Sequence, residues 1–183
     1  MRVIAGVYKG RTLRTVRGLD VRPTSDRLRE TLFNILGWRV ADNRMLDLCA
    51  GSGAVGIEAL SRGAAHVTFV EESRRAVAAI KSNLASLGID SGVEVLGREA
   101  TSAIDWLVRT GARFDLIFLD PPYDSPLYST LMKRIAAVEL LAENGIIAVE
   151  HRVKVPPDAE FGDLRVYREV KQGESGLAFY GRT

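Results

Sequence analysis

The chain is poor in the residues that build disulfide-bonded, metal-binding and membrane proteins. It has one cysteine, Cys49, and two widely separated histidines, His66 and His151. A single thiol cannot close an internal disulfide, and this set offers no ligand group for a structural metal, so no metal is expected. No apolar run comes near the roughly 20 residues needed to cross a bilayer. The amino terminus is basic and alternating, unlike a charged segment followed by an apolar stretch. These absences predict a soluble, unexported chain in the reducing cytoplasm with no membrane partner. At 183 residues, 46% of them hydrophobic, it has material for one α/β core and too little for two ordinary domains.

The net charge of +2 hides an asymmetry. Residues 1–30 carry eight basic side chains against three acidic ones, whereas the rest of the chain holds 17 basic and 20 acidic. A basic end on a mildly acidic body fits a polyanion-binding arm, with Arg2, Lys9, Arg11, Arg14, Arg17 and Arg22 as its candidate contacts. The plain alternative is a solvated terminus that only keeps the protein in solution.

Residues 2–8 and 11–16 alternate in character around Lys9-Gly10, a pattern that predicts a β-hairpin. Thr24 or Ser25 can cap a following helix whose Leu28, Leu32, Ile35 and Leu36 share one face. From residue 44 the pattern becomes apolar strand, turn and amphipathic helix in repetition, the mark of a parallel sheet covered on both faces. Strands are expected at 45–49, 66–70, 93–96, 114–119 and 145–149, with helices between them. The chain should close on an antiparallel hairpin, 164–170 with 177–180. Trp38 and Trp106 read as core residues. Cys49, inside the first strand's apolar run, reads as buried packing rather than as a nucleophile. His66 and His151 read as structural or solvent-facing.

Three motifs carry chemistry. The run Asp47-Leu48-Cys49-Ala50-Gly51-Ser52-Gly53 ends a strand and opens a helix, where glycines let a ligand approach the backbone and a helix terminus offers free N–H groups. Glu71 ends the second strand 20 residues after Gly51, a position from which a carboxylate can accept hydrogen bonds from a ribose diol. Neither feature separates NAD from S-adenosyl-L-methionine, since both present that diol. Asp120-Pro121-Pro122-Tyr123 separates them. Its prolines fix φ and remove two backbone donors, so carbonyls and the Asp120 carboxylate form a cluster of acceptors suited to an amino group, and Tyr123 offers a flat face for an extruded base.

This set resembles the class I amino-methyltransferases that act on nucleic acids. More narrowly, Arg2-Val3-Ile4-Ala5-Gly6, Lys9-Gly10-Arg11 and Arg22-Pro23-Thr24-Ser25-Asp26-Arg27 resemble the opening of the RsmD family, bacterial 16S rRNA guanine-N2 methyltransferases. The resemblance implies a Rossmann-like α/β fold with a seven-stranded, mostly parallel sheet, a carboxy-terminal antiparallel hairpin and a β-hairpin extension. It divides the chain into a basic arm, residues 1–23, and a methyltransferase domain, residues 24–183. It also implies an S-adenosyl-L-methionine cofactor held by Ala50, Gly51, Ser52 and Gly53 beside Asp47 and Asp120. The ribose would lie on Glu71, the adenine near Glu99 and Ala100, and the methionine end near Thr24 and Arg27. Asp120, Pro121, Pro122 and Tyr123 would be the catalytic turn. The six arm residues would grip 16S rRNA, met in a small-subunit particle or assembly intermediate by a monomeric enzyme.

The chemistry implied is in-line attack of guanine N2 on the sulfonium methyl, with Asp120 and the Pro121 carbonyl accepting the amino hydrogens. An adenine-N6 methyltransferase of DNA or RNA shares the acidic-proline turn and stays open as an alternative. So do an NAD-dependent oxidoreductase, in which that turn would be idle, and a non-catalytic RNA-binding module that kept a cofactor fold.

Overall fold

The structure is a computed structural model of the 183-residue chain, and it describes residues 1–15, 24–121 and 126–183. Eight strands form one sheet: β1 (Arg44–Leu48), β2 (His66–Val70), β3 (Val93–Leu96), β4 (Phe114–Leu119), β5 (Leu141–Arg152), β6 (Glu160–Phe161), β7 (Leu164–Gln172) and β8 (Ser175–Arg182). Their order across the sheet is β3-β2-β1-β4-β5-β8-β7-β6. The first five strands pair parallel, and β8, β7 and β6 add on antiparallel. Successive residues of β4 point to opposite faces, and both faces are covered. Leu116 and Phe118 pack with Leu32, Phe33 and Ile57 on one side, while Ile117 and Leu119 pack with Ile104, Leu107 and Leu131 on the other.

Five helices supply those layers: α1 (Asp26–Leu36), α2 (Ala54–Ser61), α3 (Arg74–Leu87), α4 (Ala100–Arg109) and α5 (Leu127–Ala136). Ser25 caps α1 by accepting from the Leu28 N–H at 3.1 Å, and Ser73 caps α3 by accepting from that of Ala76. Gly56 sets how closely α2 lies on the sheet. A Cβ there would come within 2.3 Å of the Phe69 ring on β2, so only glycine permits this approach. No helix among the described residues is long and apolar enough to cross a membrane.

Several expectations change. The sheet has an eighth strand, because Glu160 and Phe161 add briefly to β7. β5 starts at Leu141 and runs on to Arg152, lengthened at its end by antiparallel pairing of Glu150, His151 and Arg152 with Leu177, Gly176 and Ser175. The amino-terminal hairpin is short: around the Arg2–Thr12 bridge, the N–H groups of Val3, Gly10 and Leu13 donate to the carbonyls of Arg11, Val3 and Met1, each at 2.9 Å. Its remaining backbone is tied to α2: Ile4 and Ala5 donate to the Glu58 carboxylate at 2.7 and 2.9 Å, and Val7 donates to the Ser61 carbonyl at 2.8 Å. Val3 and Leu13 meanwhile join the core. Cys49 lies beyond the end of β1, half-buried in the turn at φ +70°, and not within the strand. Trp38 is 81% exposed on a 3₁₀ turn, Gly37–Arg39, because α1 has already ended at Leu36 and the indole projects past it. Trp106 is half-buried on α4, its ring 5.2 Å from the Arg98 guanidinium.

Candidate active site

Because β2 and β4 flank β1 on opposite sides, the strand order reverses at the carboxyl ends of β1 and β4, where an open α/β sheet leaves a crevice. The motifs meet there. Asp47, buried near the end of β1, accepts the Gly56 N–H at 2.9 Å and so ties the strand to α2. Between them the turn winds through three positive φ values, Cys49 at +70°, Gly51 at +55° and Gly53 at +77°. It is closed by Gly53 N–H to the Ala50 carbonyl at 2.8 Å. Glu71, just past β2, accepts from the N–H groups of Gly51 and Ser73, each at 2.8 Å. Each carboxylate oxygen uses one such bond and retains further lone pairs. Space beside Gly51 is open, since a Cβ there would meet nothing within 4 Å.

The second half of the site stands on β4 and β5. Asp120, half-buried, follows β4, with buried Pro121 after it. Thr24, buried ahead of α1, donates its hydroxyl to Glu150 Oε2 at 2.7 Å and lies 3.5 Å from Asp120 Oδ2. Desolvation, then Glu150 and Asp47, push the Asp120 carboxyl well above the usual carboxylate range against a smaller opposing effect of Thr24. Burial raises Asp47 to about 7, the Gly56 hydrogen bond opposing and Glu71 adding to the shift. The Cys49 thiol is pushed far up by burial and then by Glu71 and Asp120, so it stays neutral and is no nucleophile. A crevice walled by Asp47, Glu71, Asp120 and Glu150 attracts a cation and can accept hydrogens from an amino group or a diol.

Other expected site residues fall as follows. Glu99 is the cap of α4, its carboxylate taking the Thr101 and Ser102 N–H groups at 2.9 and 3.0 Å, with Ala100 buried behind it. Slight burial acts upward on Glu99, but those bonds and the Thr101 hydroxyl hold it below the usual range. Arg27 is exposed on α1. Of the basic arm, Arg2 is exposed 3.7 Å from Asp26, Lys9 and Arg14 are exposed, and Arg11 donates to the Ser86 carbonyl at 2.8 Å. Pro122, Tyr123, Arg17 and Arg22 lie outside the described residues. A groove of about 590 Å³ near Trp38, Gly145 and Tyr167 sits at the opposite edge of the sheet and contains none of the expected site residues.

Sequence reading missed two residues here. Glu150 read only as the residue just past the strand expected at 145–149. Asn83, on the buried side of α3, donates to both the Ser52 and Arg14 carbonyls at 3.0 Å and accepts the Arg14 N–H at 2.8 Å. It thereby joins the glycine turn to the basic segment. An asparagine amid helical polar residues carries no signal for such a link.

This sheet order, with its glycine turn and acidic crevice, defines a Rossmann-like class I methyltransferase fold. The chain belongs to the family described as conserved hypothetical protein 95, whose pattern matches residues 1–181. It is 40% identical over 180 residues to the "Putative rRNA methyltransferase YlbH" of Bacillus subtilis, covering 98% of each chain. It is 34% identical over 188 residues to the ribosomal RNA small subunit methyltransferase D of Escherichia coli K12, covering all of this chain and 90% of that one. The solved "Putative methyltransferase yhhF from Escherichia coli" superposes with a TM-score of 0.85 at 35% identity, covering 100% of this chain and 97% of that one.

Proposed function

We propose that this protein transfers a methyl group from S-adenosyl-L-methionine to the exocyclic N2 of a guanine in 16S rRNA. The observation that carries this reading is the juxtaposition of two acceptor sets in one crevice. The Glu71 carboxylate beside the open Gly51 turn suits a ribose diol, and the Asp120–Pro121 segment at the end of β4 suits an amino group. The rRNA assignment draws on the relatives named ribosomal RNA small subunit methyltransferase D.

The negative crevice fits a cofactor bearing a sulfonium and an ammonium group, and the cofactor supplies an electrophilic methyl. Ala50, Gly51, Ser52 and Gly53 would line it, with Glu71 on the ribose, Glu99 and Ala100 near the adenine and Thr24 and Arg27 near the methionine end. Asp120 and the Pro121 carbonyl accept the amino hydrogens, aim the nitrogen lone pair and stabilise the positive charge that grows on nitrogen. Tyr123 stacks on the extruded base. Arg2, Lys9, Arg11, Arg14, Arg17 and Arg22 contact phosphates of the rRNA, presented within a small-subunit particle or assembly intermediate, and the enzyme acts as a monomer.

Nucleoside mass spectrometry with site mapping of rRNA from a deletion strain tests this. Loss of one N2-methylguanosine from 16S rRNA is expected. Loss of an N6-methyladenosine instead would replace this target with the adenine alternative, and an unchanged nucleoside profile would remove the rRNA assignment.

A further inference from the structure

Thr24 Oγ1 stands between two carboxyl groups carried by adjacent strands, 2.7 Å from Glu150 Oε2 and 3.5 Å from Asp120 Oδ2. A hydroxyl has one proton to give, and the shorter contact takes it. Glu150 is then the acceptor, and the oxygen of Thr24 turns lone pairs towards Asp120. An anionic oxygen facing those lone pairs is repelled. A protonated Asp120 would instead donate to Thr24 and complete a chain running Asp120 O–H, Thr24 O–H, Glu150 carboxylate. The sheet holds the two acids together, because the preceding residues, Leu119 and Val149, are register partners in the β4–β5 ladder. The backbone that bears them is thereby held side by side.

We propose that Glu150 is a positioning residue for Asp120: through the Thr24 hydroxyl it makes the two carboxyls share a single proton in the unliganded protein, and a cationic ligand entering the crevice expels that proton to solvent. Asp120 is thereby freed as an acceptor only when the cation has arrived. The inference rests on the reading of Asp120 as the group that receives the amino nitrogen, which must itself lie about 3–3.5 Å from the sulfonium methyl.

The surroundings favour the shared proton. Asp47 from β1 adds to the negative field on Asp120, as Glu150 does from β5, and Thr24, ahead of α1, bridges the pair. Across the glycine turn stand Glu71 and the neutral thiol of Cys49. Like charges held this close in a poorly solvated place do not both ionise readily.

Two measurements on the full chain test the proposal. In infrared spectra of the unliganded protein near neutral pH, a protonated-carboxyl band is expected for wild type and a weaker one for Glu150→Gln, whose amide still accepts from Thr24 but carries no charge. Asp120→Asn should also weaken it. A wild-type band unaltered by either change overturns the proposal whatever the protein binds. In titration calorimetry across buffers of different ionisation enthalpy, S-adenosylmethionine should release protons, and S-adenosylhomocysteine, which lacks the sulfonium charge, markedly fewer. Glu150→Gln should lose most of the release. Equal release by both ligands, or by wild type and Glu150→Gln, overturns it. Binding of neither ligand would instead defeat the cofactor reading and leave the infrared result to decide on Glu150.

Discussion

Two groups of acids in this molecule are built on opposite plans. At the carboxyl end of α2, Glu58 is fully buried and surrounded by donors. It accepts the Ile4 and Ala5 N–H groups, receives the Arg62 Nε–H at 2.8 Å and lies 3.8 Å from the buried Arg29 Nε. In the crevice, burial raises the cost of ionising Asp120 and Asp47, Glu150 and Asp47 add to it at Asp120 and Glu71 adds to it at Asp47, while Thr24 offers one hydroxyl to Glu150 and Asp120. The first arrangement spends its charge on holding the amino-terminal segment to α1 and α2. The second keeps acids under electrostatic stress at the carboxyl ends of central strands, and such stress concentrates where proteins do chemistry.

That contrast can be broken by substitution. Glu58→Ala strands the Arg29 guanidinium and frees two backbone donors, so unfolding free energy should drop by about 3–5 kcal/mol in urea denaturation. A drop of only a few tenths would mean that the charge network is dispensable. Asp120→Ala should do the reverse. Methyl transfer falls by a factor on the order of a hundred to a thousand while stability holds or rises, because a stressed acid has been removed. Activity close to wild type in that variant would take Asp120 out of the mechanism.

Glu58 fixes the backbone of the amino-terminal segment, and the side chains of Arg2, Lys9, Arg11 and Arg14 face solvent from it. Replacing these four with glutamine should lower the slope of log affinity against log salt by about 3, since each lost phosphate contact removes roughly 0.7–0.9. A filter-binding series over salt concentration would reveal an unchanged slope, which would deny the segment its role on RNA.

A further effect concerns pH. Asp47 titrates at about 7 in the folded chain against an ordinary value of 3.8. Its contribution to stability is therefore complete below the ordinary value and is lost as pH rises towards 7, where the unfolded chain has already released the proton. Asp47→Asn keeps an acceptor for the Gly56 N–H and should flatten that decline, leaving the part due to Asp120. Thermal unfolding across this range measures it, and parallel curves for wild type and variant would contradict the assignment.

The parts of this fold that could be read in advance are those whose residues speak locally. Runs such as Phe114 to Leu119 alternate nothing and are buried on both faces, and the glycines at 51, 53 and 56 mark a turn and a close helix contact. Partners distant in sequence were hidden. Glu58 meets backbone 54 residues earlier, Asn83 reaches back 69 to Arg14, and Thr24 meets Glu150 across 126. Each looks like a solvated polar residue until the chain is folded. Trp38 misled in the opposite sense, since hydrophobic character alone does not say which way a residue past a helix end will point.

The placement of the two tryptophans makes the molecule its own optical probe. Trp38 sits in solvent at the edge of the sheet away from the crevice, a red-shifted emitter that ligand binding should leave alone. Trp106 lies half-buried beside Arg98, two turns of helix from the Glu99 cap where an adenine ring is expected. Replacing Trp38 with phenylalanine would strip away the constant background and leave a single indole whose brightness follows occupation of the site.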